Sequence, residues 1–151
     1  MNVLVTGHQG YIGSELFPLL LSAGHSVTGV DVGYYRDWSL SHEPGKVRSI
    51  HKDIRDLEVI DLQGCEAVIH LAALSNDPLG DLNQNWTHEI NYLASVRLAR
   101  LSKAAGVQRF LFSSSCSVYG RAESEALVTE ESPVHPLTAY AISKVRTEEE
   151  L

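Results

Sequence analysis

Three observations in the sequence predict an α/β fold built on a doubly wound parallel sheet. Short apolar runs rich in β-branched residues alternate with amphipathic stretches of helical length along the whole chain. The first such run, Val3-Leu4-Val5-Thr6, leads into Gly7, Gly10 and Gly13, and an amphipathic stretch begins at Tyr11. A second run, Ser26–Val30, ends in Asp31, about 20 residues further on. Right-handed crossovers between parallel strands leave few other topologies for such a pattern.

Taken in order, Val3–Thr6 is the first strand, and Tyr11–Ala23 is a helix that Gly24 stops. Ile12, Leu16, Leu19 and Leu20 are its expected buried face, and Pro18 should kink it or turn an irregularity to solvent. Strand two ends at Asp31. Residues 33–45, polar and aromatic around Tyr34-Tyr35-Arg36-Asp37-Trp38, read as a loop, and Val47–His51 as strand three. Arg55–Leu62 reads as a short helix. Ala67–Ala73 is strand four, apolar throughout as suits a strand covered on both faces. A turn-rich loop, Ser75–Asp81, precedes a long helix over Asn85–Ala105 bearing Ile90, Leu93, Val96, Leu98 and Leu101. Arg109–Ser113 is strand five. A polar, acidic loop then leads to Pro133 and Pro136, and a last helix starts near Thr138.

Composition narrows the function. A formal net charge of −7 with no Lys/Arg cluster argues against nucleic acid as a partner. No apolar run approaches membrane-spanning length. The chain opens on a core strand, so no signal peptide is expected. Cys65 and Cys116, in unrelated contexts, suit reduced thiols and a cytoplasmic location. The seven histidines show no metal-ligand spacing, so no metal is expected.

Strand, glycine-rich turn and helix come in the order a dinucleotide site needs, the alternative being an ordinary glycine-rich βα loop that Asp31 argues against. The first glycine permits the tight turn, the second lets backbone N–H groups approach a pyrophosphate, and the third lets the helix pack closely. Asp31 stands where a carboxylate accepts both hydroxyls of an adenosine ribose. Ligands of such sheets bind over the carboxyl ends of the strands, the edge to which strand five delivers Ser113–Gly120. Tyr140 and Lys144, four residues apart, share one face of the last helix. A phenol is a poor base at neutral pH, and a neighbouring ammonium improves it by favouring the phenolate. Ser115 can hydrogen-bond the reacting oxygen.

With these motifs the chain resembles the extended short-chain dehydrogenase/reductases, specifically the NAD-dependent sugar-nucleotide epimerase/dehydratase group. The likeness rests on Thr6–Gly13, Asp31, Asp53-Ile54, His70–Ala73, Asn91, Ser113–Gly120 and Tyr140–Lys144, and so runs the length of the chain. It implies a Rossmann-type sheet that binds NAD. Gly7, Gly10, Tyr11, Ile12 and Gly13 would meet the pyrophosphate and Asp31 the adenine ribose. Asp53 and Ile54 would meet the adenine, Leu71, Ala72 and Ala73 would line the cofactor cleft, and Asn91 would lie near the cofactor. Ser115, Tyr140 and Lys144 would form the catalytic set, with Tyr140 and Lys144 also meeting the cofactor and Lys144 holding ribose hydroxyls. The Asp31 carboxylate repels a 2′-phosphate, so NAD is favoured over NADP, with Arg36 the nearby group opposing that preference. The implied partner is a nucleotide-sugar substrate, with homodimers forming through the helices at 85–105 and 138–151.

Two departures from the group sharpen the expectation. Dehydratases carry an Asp-Glu pair where this chain has Cys116 and Ser117, so elimination of water lacks its acid and base and a 4,6-dehydratase is disfavoured. Members run to about twice this length, with a C-terminal lobe that grips the sugar nucleotide. The chain is therefore expected to be the NAD-binding portion, over residues 1–151, without the substrate lobe. The activity expected is that of a sugar-nucleotide epimerase or oxidoreductase. The alternatives are a non-catalytic NAD-binding fragment and a one-way NAD(P)H ketoreductase.

Overall fold

The computed structural model describes residues 1–34, 48–121 and 127–151. The residues Arg36, Val47 and 35–45 of the expected loop lie outside the described residues, as do residues 122–126 of the acidic loop. Five parallel strands, β1 (Asn2–Thr6), β2 (Ser26–Asp31), β3 (Arg48–His51), β4 (Ala67–His70) and β5 (Arg109–Phe112), form one sheet in the order β3-β2-β1-β4-β5. That is a doubly wound sheet, the fold class expected: the chain builds outward from β1 in one direction and then in the other. The order reverses between β1 and β4, whose ends are in register at Thr6 and His70. By the general rule for such sheets, this carboxyl edge is where a ligand binds.

The chain divides into two compact units, Met1–Ala72 with Arg97–Ser113, and Ala73–Val96 with Ser114–Leu151. The sheet belongs wholly to the first. Leu4, Val5, Val30 and Val68 are fully buried, as parallel strands covered on both faces require. Val3, Val5, Val27 and Ala67 form one core cluster with Phe17 of α1 (Tyr11–Ser22), and Leu20 and Leu21 pack against it.

The rotation of α1 differs from the one its apolar residues suggest. Ile12 and Leu19, expected inside, are 57% and 64% exposed, while Gly13 and Phe17 are buried. Gly13 sets this phase, because a Cβ there would stand 2.3 Å from the Gly7 carbonyl oxygen and 2.6 Å from His8 Cα. With Gly13 against the loop, positions 17, 20 and 21 follow onto the sheet at helical spacing, while 12 and 19 lie about 100° or more round the axis. The helix runs unbroken through Pro18 and stops at Gly24 as expected.

Three further expectations are corrected. Arg55–Leu62 is not one helix but two 3-10 turns, Ile54–Asp56 and Val59–Leu62, parted at Leu57 and Glu58 by extended backbone. Leu57 is fully buried there, and Asp61 accepts the Glu58 N–H (2.8 Å) and the Lys52 ammonium (2.7 Å). Within the loop expected at Ser75–Asp81 a helix begins, α2 (Asp77–Leu82), capped by the Asn76 side chain and with Pro78 in its first turn. Asn-Asp-Pro is a helix start as well as a turn signal. The helix expected over Asn85–Ala105 is α3 (Gln84–Thr87), a π-helical segment (His88–Leu93) and α4 (Ala94–Ala104). The inserted turn leaves Leu93 exposed while Val96 and Leu98 stay buried. The last helix, α5 (Ala139–Glu150), starts where expected, with Thr138 as its cap. No helix among the described residues is long and apolar enough to cross a membrane.

Candidate functional site

In the first unit the candidate residues gather at the carboxyl ends of β1, β2 and β4. β1 ends on Thr6, whose carbonyl accepts the Leu71 N–H (3.2 Å) and whose hydroxyl accepts the Ala72 N–H (3.3 Å). The same hydroxyl pairs with His70 Nδ1 at 2.6 Å. Gly7 follows at φ +73°, and a Cβ there would stand 2.8 Å from the Ala72 nitrogen. Only a bare backbone fits between Thr6 and Ala72. The turn then closes through Gly10 N–H to the Gly7 carbonyl (3.1 Å), and α1 begins with no side chain capping it at Gly10.

That uncapped start is the observation against which a dinucleotide can be tested. The first N–H groups of a 12-residue helix have no intrahelical acceptor, and Tyr11 is 83% exposed beside them. Such a turn suits a pyrophosphate, with the helix dipole in its favour. Asp31 ends β2 with both carboxylate oxygens anchored: one accepts the Gln9 N–H at 3.0 Å, the other the Gly33 N–H at 2.8 Å. Each oxygen keeps lone-pair capacity for a ribose hydroxyl. The residues present therefore fit the group.

His8, which no sequence motif marks as functional, fastens this loop to its neighbours. Its ring lies where a Cβ on Gly29 would come within 2.4 Å, its centroid is 5.5 Å from that of Phe17, and its Nε2 is 3.0 Å from Ser49 Oγ. A bare residue at position 29, within a strand otherwise rich in valine, was the available signal. Asp53 and Ile54, expected near adenine, have structural partners. Asp53 caps the turn after β3 and binds Arg55 at 2.8 Å, and that guanidinium holds its carboxyl below the usual range. The Ile54 side chain is buried.

In the second unit, Asn91, expected near the cofactor, is buried and paired. Its side chain is 1% exposed, and both ends of its amide bind the backbone of Leu74, accepting at 2.8 Å and donating at 3.0 Å. It anchors the segment that Ala73 opens rather than presenting an open polar group. Ser115 caps the 3-10 turn Cys116–Tyr119, accepting the Ser117 N–H at 3.2 Å and donating to Ser117 Oγ at 3.1 Å. Among the described residues no hydrogen bond joins it to Tyr140. Ser114 instead donates to Glu148 of α5.

Tyr140 and Lys144 do come together, with the ammonium 5.5 Å from the centre of the phenol ring. Lys144 is only 4% exposed, and burial pushes its pKa down to about 8 against the upward pull of Glu148. This sign fixes a measurable consequence. Between about pH 8 and 10.5 the unfolded chain binds the proton that the folded chain has lost, so the penalty is full below pH 8 and fades as pH rises. Relative to Lys144→Met, the urea-unfolding free energy is expected to rise by about 3 kcal/mol from pH 7 to 10.5. A flat difference across that range would show that the site imposes no such penalty.

A family model described as the NAD dependent epimerase/dehydratase family matches residues 3–151. A UDP-glucose 4-epimerase of Corynebacterium glutamicum is 34% identical over 149 residues, covering 96% of this chain and 44% of that protein. The solved structure of MoeE5 in complex with UDP-glucose and NAD aligns at a TM-score of 0.86 with 33% identity, over 99% of this chain and 48% of that one. DesIV, a dTDP-glucose 4,6-dehydratase from Streptomyces venezuelae solved with NAD bound, aligns at 0.88 with 30% identity, over 99% of this chain and 50% of that one. The chain spans about half the length of the curated relatives it matches.

Proposed function

The chain belongs to the NAD-dependent epimerase/dehydratase family, and from that membership we propose that it binds NAD and serves the epimerisation of a nucleotide sugar. The observation that carries the reading is the Tyr140–Lys144 pair on α5. A lysine buried at a cost to stability beside a phenol is the kind of arrangement that functional sites keep. Gly7, Gly10, Tyr11, Ile12 and Gly13 hold the pyrophosphate, and Asp31 the adenine ribose. Leu71, Ala72 and Ala73 line the cofactor cleft.

The chemistry NAD would supply when bound is reversible acceptance of a hydride from a sugar carbinol carbon. Tyr140 takes the proton of the hydroxyl on that carbon and gives it back when the ketone is reduced. Ser115 hydrogen-bonds the same oxygen where charge develops. Lys144, charged, favours the phenolate and binds ribose hydroxyls. A site that leaves both faces of the ketone open to reduction would make the reaction an epimerisation. Cys116 and Ser117 supply no carboxyl group for loss of water, which favours this reading over a 4,6-dehydratase.

Calorimetric titration with NAD, and with NADP in parallel, tests the cofactor half. Asp31→Ala is expected to weaken NAD binding roughly 10- to 100-fold, from lost hydrogen bonds to a charged group and a loosened glycine loop. Equal affinity for NADP, or no loss in the variant, would overturn it.

A further inference from the structure

Tyr140 is the second residue of α5, and the first turn of that helix is held from outside it. Thr138, the cap of α5, accepts the Ala141 N–H at 3.1 Å and donates its own hydroxyl hydrogen to Asp77 Oδ1 at 2.6 Å. Asp77 opens α2. Gly80 of the same short helix lies so near that a Cβ on it would stand 3.1 Å from Tyr140 Cβ and 3.5 Å from the Tyr140 nitrogen. α2 is itself fastened. Buried Thr87 donates to the Gly80 carbonyl at 2.7 Å, the Gly80 N–H reaches the Asn76 carbonyl at 3.0 Å, and Asn76 accepts from the Leu79 N–H at 3.1 Å. Lys144 meets the same tyrosine through its ring. The tyrosine is thus bounded by α2 at its backbone and by the ammonium at its ring.

We propose that Asp77, Gly80 and Thr138 position Tyr140 against Lys144. The hydrogen bond from Thr138 to Asp77 sets where α5 begins, and the bare backbone at Gly80 leaves the room Tyr140 needs. The geometry stands by itself, and its catalytic consequence rests on the function proposed above. The three are positioning residues, since the proton transfer belongs to Tyr140.

Asp77→Ala, Asp77→Asn, Thr138→Ser and Gly80→Ala in the full chain test this. Asparagine keeps an acceptor for Thr138, and serine keeps the hydroxyl. One readout is the nuclear Overhauser effect between the Tyr140 ring protons and the Lys144 side chain. The others are kcat and KM for 4-epimerisation of UDP-glucose and the Kd for NAD. Asp77→Ala is expected to weaken the Overhauser effect at least twofold and to lower kcat roughly 10- to 100-fold, with NAD affinity unchanged. Asp77→Asn and Thr138→Ser restore both, and Gly80→Ala reproduces the loss with the Thr138 bond intact. An unchanged Overhauser effect in folded Asp77→Ala, or in Gly80→Ala should the first variant unfold, overturns the proposal. Failure of Asp77→Asn to rescue overturns it too. A wild-type chain that turns over no UDP-glucose defeats the functional reading alone, and the Overhauser effect still decides the positioning.

Discussion

Tyr140→Phe is expected to reduce 4-epimerisation of a UDP-sugar by roughly 10²- to 10⁴-fold, the range for loss of a positioned acid–base group. The substitution removes one oxygen and leaves the ring against which Lys144 lies, so α5 and its contact with Gly80 should persist. NAD affinity should change little, because Asp31 and the glycine loop carry most of it. The signature is therefore a fall in kcat at nearly constant cofactor Kd, measured by a coupled assay beside calorimetry. Full turnover in the variant would remove Tyr140 from the chemistry, and the functional reading with it.

The second large effect is expected at Gly13. An alanine there would force a methyl to 2.3 Å from the Gly7 carbonyl oxygen and 2.6 Å from His8 Cα. Both obstacles are backbone, so the strain cannot be relieved by a side-chain rotation. α1 would have to lift from the loop and draw Phe17 from the core cluster. The expected cost is about 3 kcal/mol of folding stability, at the upper end of overpacking, together with loss of measurable NAD binding. Gly24→Ala is the control. Unlike Gly13, it sits at positive φ, but a Cβ there meets nothing within 4 Å, so about 1 kcal/mol and unchanged NAD binding are expected. If Gly13→Ala binds NAD like the wild type, the loop is not the pyrophosphate site.

The sequence alone determined the fold class, the run from β1 through the glycine loop to α1, the position of Asp31 at the end of β2, and the pairing of Tyr140 with Lys144. Each is a local pattern, a strand or helix period or a fixed spacing, and such patterns survive whatever the rest of the chain does. Tertiary structure alone decided the rotation of α1, because the helix turns to suit its closest approach at Gly13 and not its count of leucines. Burial of Leu57 split the helix expected at 55–62, and a π turn interrupted the one expected at 85–105. The work of Asn91 at Leu74, of His8 above Gly29, and of Asp77 at Thr138 joins residues 17, 21 and 61 apart in sequence. A contact across such a distance leaves no period in the sequence, and only the folded chain brings its two ends together.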